Sequence, residues 1–137
     1  MKTDVECHLP SDTAQVAAQK MRKENIGFLP VCDESMRVLG TLTDRDITLR
    51  AVADSLPAWT KVATLMTREL VACHPGDEIR EAQRVMAERR KSQILCIDNK
   101  SRLVGVISLS DLAQIDDGHR ASTVLQRVTE REVRGMN

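Results

Sequence analysis

The chain has no tyrosine, one phenylalanine and one tryptophan among 137 residues, so it lacks the aromatic platform on which single-stranded nucleic-acid bases stack. Its acidic and basic residues, 20 of each, cancel to a formal charge of zero. They are interspersed instead of blocked, which removes the basic field a purely electrostatic DNA or RNA binder needs. No apolar run approaches the roughly 20 residues that span a bilayer, and the N-terminus lacks the basic region and apolar core of a signal peptide. A cytoplasmic protein is expected, with neither nucleic acid nor membrane as partner. The sequence also contains no Gly-x-Ser-x-Gly elbow, no Walker loop and no paired acids in a shared apolar setting, so no enzymatic activity is expected. The four cysteines, Cys7, Cys32, Cys73 and Cys96, lie in or beside apolar runs and not in the close pairs of a secreted scaffold; reduced, buried thiols are expected.

What is present suits a folded chain: 42% hydrophobic and 29% charged residues, ordinary for a globular protein, at a length that gives one domain or two small units. The sequence repeats itself. A shift of 65 residues carries Pro10 onto Pro75, Asp12 onto Asp77, Ala17 onto Ala82, Met21 onto Met86, Asp33 onto Asp98, Gly40 onto Gly105 and Asp46 onto Asp111. Upstream of the proline, a shift of 66 aligns Cys7-His8 with Cys73-His74. Two copies of one unit follow.

Each copy opens with a short apolar stretch (Val5 to Cys7; Leu70 to Cys73) and a Pro-containing turn, after which Asp12 or Asp77 is placed to cap a helix. Ala14, Ala17, Ala18 and Met21, and in the second copy Ile79, Ala82 and Met86, recur at helical spacing and predict one buried face per helix. Two short strands then follow in each copy: Phe28 to Cys32 and Val38 to Leu42, then Ile94 to Ile97 and Leu103 to Ile107. The turns between them are too short for a crossover helix, so antiparallel hairpins are predicted. A second helix runs from Asp46 to about Ala53, and from Asp111 to about Ile115; the order is β-α-β-β-α, twice. Between the copies, Asp54 to Thr60 holds Pro57 and Trp59, and Lys61 to Met66 reads as a helical turn. At the end, Val124, Leu125, Val128 and Val133 mark an amphipathic helix for packing on the module or on a second subunit.

The organising phrase is Gly40 to Asp46, "GTLTDRD", with its copy Gly105 to Asp111, "GVISLSD". Each reads as a strand end, a hydroxyl at the turn and an acid three residues on as a helix begins, which places a hydroxyl and a carboxylate beside unbonded backbone N–H groups. That arrangement suits an anion with a sugar attached. The same spacing is also that of a helix capping box, in which the two side chains satisfy backbone donors and hold no ligand. The Cys-His pairs offer the ligand count of a structural zinc site. Adjacent strand residues face opposite sides, however, and core cysteines (Cys7, Cys73) with surface histidines (His8, His74) are the expected arrangement, with Cys32 and Cys96 as small core residues.

With "NIGFLPVCD" beside "SQILCIDN" and the paired phrases, the chain resembles the tandem CBS-domain proteins, whose paired unit is called a Bateman module. The resemblance implies an α+β fold (α/β in some schemes) of two β-α-β-β-α CBS units about a pseudo-twofold axis, plus a C-terminal helix. The implied boundaries are residues 1–56 for the first repeat, 57–66 for the linker, 67–117 for the second repeat and 118–137 for the terminal helix and tail. It also implies a stand-alone regulatory role, in which clefts between the repeats bind an adenosine-containing ligand such as AMP, ADP, ATP, S-adenosylmethionine or NAD. No cofactor is required; the nucleotide is a regulatory ligand. By the family pattern Asp46 and Asp111 accept from ribose hydroxyls and Thr43 and Ser108 donate to phosphate or ribose, and Ser110 echoes the regulatory gamma subunits of AMP-activated kinases; Arg45, beside the helix start, either offers its planar fork to a phosphate or stands as a solvated arginine. The basic pair that those subunits carry is absent, since Gly27-Phe28 and Ser92-Gln93 stand there. A homodimer and a separate effector protein are the implied partners. Two other readings stand beside this one: a structural dimerisation module with empty clefts, and a thiol or zinc sensor built on the Cys-His pairs.

Overall fold

The computed structural model describes residues 6–110 and residue 112. The expected second helix of the second copy, apart from Leu112, and the expected C-terminal helix lie outside the described residues. Helices and small sheets give an α+β fold, in the order α1 (Ala14–Glu24), β1 (Phe28–Cys32), β2 (Val38–Thr43), α2 (Asp44–Ile47), α3 (Val62–Leu65), β3 (Ala72–Cys73), α4 (Ile79–Arg89), β4 (Gln93–Ile97) and β5 (Leu103–Ser108). The described residues form two compact units, one holding 6–70 with Lys100–Leu103, the other holding Val71–Asn99 and the chain from Val104.

In the first unit β1 and β2 form an antiparallel hairpin, with Phe28 opposite Thr43 and Val31 opposite Gly40, as the short turn predicts. Asp33 shapes the turn: its Oδ1 accepts the N–H groups of Ser35 at 2.8 Å and Arg37 at 3.0 Å, a local side-chain substitute for a backbone turn. The core gathers Ala14, Ala17 and Met21 of α1 with Leu29, Val31, Leu42, Ala51, Val62, Leu65 and Met66. Ala18, expected on that face, is exposed. In the second unit the sheet order is β3-β4-β5, and the core holds Cys73, Ala82, Met86, Ile94, Cys96 and Leu112. Here Ile79 lies on the exposed side and Gln83 is buried in its stead.

Neither Asp12 nor Asp77 caps a helix. Asp12 Oδ2 accepts the Leu9 N–H at 3.0 Å and Asp77 Oδ2 the His74 N–H at 2.8 Å, so both acids close the proline turn one step earlier. Thr13 caps α1, accepting from the Val16 N–H, and Glu78 precedes α4 without a side-chain bond. Both helices end in left-handed residues, Asn25 (φ 54°) and Arg90 (φ 52°), whose N–H groups return to Met21 and Met86.

The structural repeat keeps a shift of 65 into the opening strand, which corrects the 66-residue alignment of the Cys-His pairs. His8 bridges Val31 in parallel, and the matching pair one repeat later is Cys73 with Cys96. His8 therefore occupies the place of Cys73. In the second repeat Leu95 donates its N–H to Val71 O at 3.2 Å. Pro30, at the corresponding place in the first, has no N–H to donate, and among the described residues the opening segment there meets β1 in one bridge, at His8.

The helix expected from Asp46 to Ala53 starts two residues earlier and changes pitch. After α2 the chain runs as a π-helical segment, Thr48–Val52, closed by Ala53 N–H to Thr48 O at 3.0 Å. The Thr48 hydroxyl donates to Asp44 O at 3.0 Å, the kind of back-bonding that bends a helix.

Candidate functional site

β2 delivers Thr43 to the start of α2, and there the capping alternative is realised in full. The Asp46 N–H donates to Thr43 Oγ1 at 3.1 Å, and the Thr43 N–H donates to Asp46 Oδ2 at 2.9 Å. Both side chains are thereby held in one place. The Asp46 side chain is 13% exposed, and its other oxygen, Oδ1, faces the Arg50 guanidinium at 3.7 Å. The Arg50 Nη1 also donates to Leu65 O at 2.9 Å and Thr67 Oγ1 at 3.2 Å, so it ties the phrase to the chain after α3. Arg45 is exposed, and its backbone N–H goes to Asp44 Oδ1 at 2.8 Å.

Gly27 and Gly40 matter because of what approaches them. The Asp44 N–H donates to Gly27 O at 3.0 Å, and a Cβ at Gly27 would lie 2.7 Å from Asp44 Oδ2. A carboxylate thus fills the space beside one of the positions where the gamma subunits carry their basic pair. At Gly40 a Cβ would lie 2.5 Å from Thr67 O, since Thr41 and Thr67 exchange backbone hydrogen bonds at 2.9 Å each way. The glycine of the first phrase is accounted for by this backbone crossing.

In the second copy the Leu109 N–H donates to Ser92 O at 3.0 Å, the counterpart of Asp44 with Gly27. Ser108, at the end of β5, and Ser110 bring their hydroxyls to 2.8 Å. Asp111 lies outside the described residues. Of the six residues expected at the site, Thr43 joins Asp46, Ser108 joins Ser110, and Arg45 stands apart from the capping box. Sequence reasoning missed Arg50, although a base four residues after Asp46 is a recognisable helical ion-pair spacing. It missed Asp44 and Thr67, whose roles come from chain crossings that no local spacing encodes.

The cysteines depart from expectation in the first repeat only. Cys7 and Cys32 form a disulfide with Cα atoms 5.7 Å apart, where reduced thiols were expected. His8, expected at the surface, is buried, while Cys7 beside it is half-buried. In the second repeat the expectation holds: Cys73 is buried and His74 exposed. Cys73 and Cys96 remain free thiols. Burial, then the neighbouring Cys96, pushes the Cys73 thiol up to about 12, and burial also raises Cys96. Among the described residues no three or more His, Cys, Asp or Glu side chains gather as a metal site, and no helix is long and apolar enough to cross a membrane.

Two repeats of a hairpin braced by a helix, each presenting a hydroxyl where the hairpin ends, define a duplicated α+β module. The CBS domain pattern matches residues 1–52 and 62–118, and the chain belongs to the CBS domain family. It is 36% identical over 113 residues to the CBS domain-containing protein YhcV of Bacillus subtilis (strain 168), covering 82% of this chain and 79% of that protein. The crystal structure of Hypoxic Response Protein I, which has two coordinated zinc ions, superposes with a TM-score of 0.77 at 32% identity, covering 85% of this chain and 95% of that one. The CBS domain pair of protein MJ0100, in complex with 5-methylthioadenosine and S-adenosyl-L-methionine, shares the fold at a TM-score of 0.71 and 24% identity, with 84% and 89% covered.

Proposed function

We propose that the chain is a regulatory ligand-sensing module for an adenosine-containing compound and has no catalytic activity of its own. Asp46 and Asp111 accept from the ribose hydroxyls, Thr43 and Ser108 donate to ribose or phosphate, and Ser110 and Arg45 supply further polar contacts. The observation that carries this reading is the fixed Asp46 carboxylate. One oxygen is committed to the capping box, and the other stands 3.7 Å from Arg50, in an orientation set before any ligand arrives. A vicinal diol donates two hydrogen bonds, which a charged acceptor takes strongly, and preorientation lowers the entropic cost of making them.

The repeats span 1–56 and 67–117, with 57–66 as linker and 118–137 as a packing helix and tail, and the module works as a homodimer or through a separate effector protein. The ligand shifts the module only by its difference in affinity between two states. Asp44 beside Gly27, and the missing basic pair, favour AMP or an adenosyl compound of low negative charge over ADP and ATP. The test is a thermal-shift series with AMP, ADP, ATP, S-adenosylmethionine and NAD, in which a ligand at about 100 times its Kd adds roughly 2.7 kcal/mol. Asp46→Ala and Asp111→Ala measured separately assign the shift to a repeat. No stabilisation by any of the five would remove the proposal and favour the second reading, a structural dimerisation module, which the self-satisfied Thr43–Asp46 capping box already allows.

A further inference from the structure

The segment from Glu6 to His8 is a strap laid against β1, and it is held in four ways. The His8 N–H donates to Pro30 O at 3.1 Å, and the Cys32 N–H donates to His8 O at 2.9 Å. Glu6 pairs with Lys20 on α1. Cys7 is bonded to Cys32. Against these stands one unfavourable feature: His8 is buried, and its Nδ1 has no hydrogen-bond partner. The Asp12 Oδ2, which accepts the Leu9 N–H, lies 3.3 Å away, an ion-pair distance for a protonated imidazole, but makes no hydrogen bond with Nδ1. Burying an unpaired polar atom opposes the strap's docking, and the disulfide holds the strap in place despite it.

We propose that Cys7 is a thiol–disulfide exchange site whose reaction partner is a small thiol or dithiol, and that opening the bond releases the strap from β1. Cys7 is half-buried, whereas Cys32 is fully enclosed, so the incoming thiolate attacks the Cys7 sulfur. That attack makes a mixed disulfide on Cys7 and expels Cys32 as a thiolate, which takes a proton from water. A second thiolate attacks the outer sulfur of the mixed disulfide and leaves Cys7 as a thiol, so two electrons pass from two thiols to the protein. His8 then exchanges its buried, unpartnered state for water. The pair Cys73 and Cys96, at the matched crossing of the second repeat, takes no part. Both thiols are buried within the sheet, and reactivity resides in the accessible thiolate.

The experiment uses the full chain purified without reductant. Iodoacetamide labelling read by mass spectrometry should find Cys7 and Cys32 blocked; after dithiothreitol, Cys7 should be alkylated well before Cys73 or Cys96. Amide hydrogen exchange of the same samples should rise by about tenfold or more at residues 6–9 and 31–32 on reduction, with the β3–β4 crossing unchanged. Cys7→Ser, if it folds, should show the reduced pattern in either condition, and Cys73→Ser the wild-type response. Four alkylatable thiols in the unreduced protein would overturn the proposal. So would reduction that leaves exchange at residues 6–9 unaltered, or prior labelling of Cys73 or Cys96.

Discussion

Among the described residues the two repeats share a helix followed by two paired strands, and they differ most where the opening segment crosses the first of those strands. In the first, the opening segment meets β1 through His8 and is stapled by Cys7–Cys32; in the second, β3 meets β4 through Cys73 opposite Cys96, and the thiols stay free. Pro30 explains much of the contrast. Without its N–H the first repeat loses a rung that the second makes between Leu95 and Val71, and a covalent bond secures what hydrogen bonding does not. Equivalent crossings in a duplicated fold are thus secured by unlike means, one by a disulfide between the neighbours of the bridging pair His8 and Val31, the other by hydrogen-bonded strands with ordinary core residues at the bridge.

The comparison breaks most visibly if the staple is removed. The bond closes a sequence separation of 25 residues, for which the chain-entropy model gives about 3.5 kcal/mol. Cys7→Ser with Cys32→Ser should lower the urea unfolding free energy by roughly that amount, and reductant should have little additional effect on the variant. Next comes an alkaline effect from the buried thiols of the second repeat. The Cys73 thiol is raised from its ordinary value of 9.0 to about 12, so the unfolded chain ionises first and binds fewer protons than the folded one. Stability from this group is complete below about pH 9 and falls as pH climbs toward 12, at up to about 1.4 kcal/mol per unit. The disulfide-bonded cysteines of the first repeat contribute no such slope, and Cys73→Ala should make the curve measured by denaturation shallower between those limits, the raised Cys96 thiol supplying part of the slope that remains. Gly40→Ala should cost about 1 to 3 kcal/mol, since its Cβ would press on the Thr67 carbonyl at 2.5 Å in a crossing with little room to yield. The smallest effect is a gain. Arg90 holds a left-handed conformation that its counterpart Asn25 tolerates better, and Arg90→Gly should raise the thermal midpoint through about 0.5 to 1 kcal/mol.

The first helix of each copy and the paired strands that follow it were legible because each rests on local chemistry: alanine and methionine at helical spacing, Asp33 opening a short turn, a duplicated phrase that fixes which segments correspond. The site was legible in part. Thr43 and Asp46 do sit together, and the spacing alone allowed both the cap and the ligand grip; the cap is what the side chains make. The crossing of the opening strand was not legible. Two Cys-His words invite a 66-residue match, while the backbone aligns His8 with Cys73, because strand register follows hydrogen bonding and not spelling. Asp12 looked like a cap because it precedes a helix, yet its carboxylate reaches back to Leu9. Arg50 and Thr67 gain their roles from segments that meet only after folding.

The turn after β4 supplies Lys100–Leu103 to the compact unit built from the first repeat. There the Val38 N–H donates to Ser101 O and the Leu103 N–H to Met36 O, each at 2.9 Å. A polypeptide ending before that loop would leave the Val38 donor and the Met36 acceptor open, and the nearest source of the missing loop would be another molecule. Loop lending of this kind discourages excision of one half: a truncated piece should be prone to strand exchange with its neighbours.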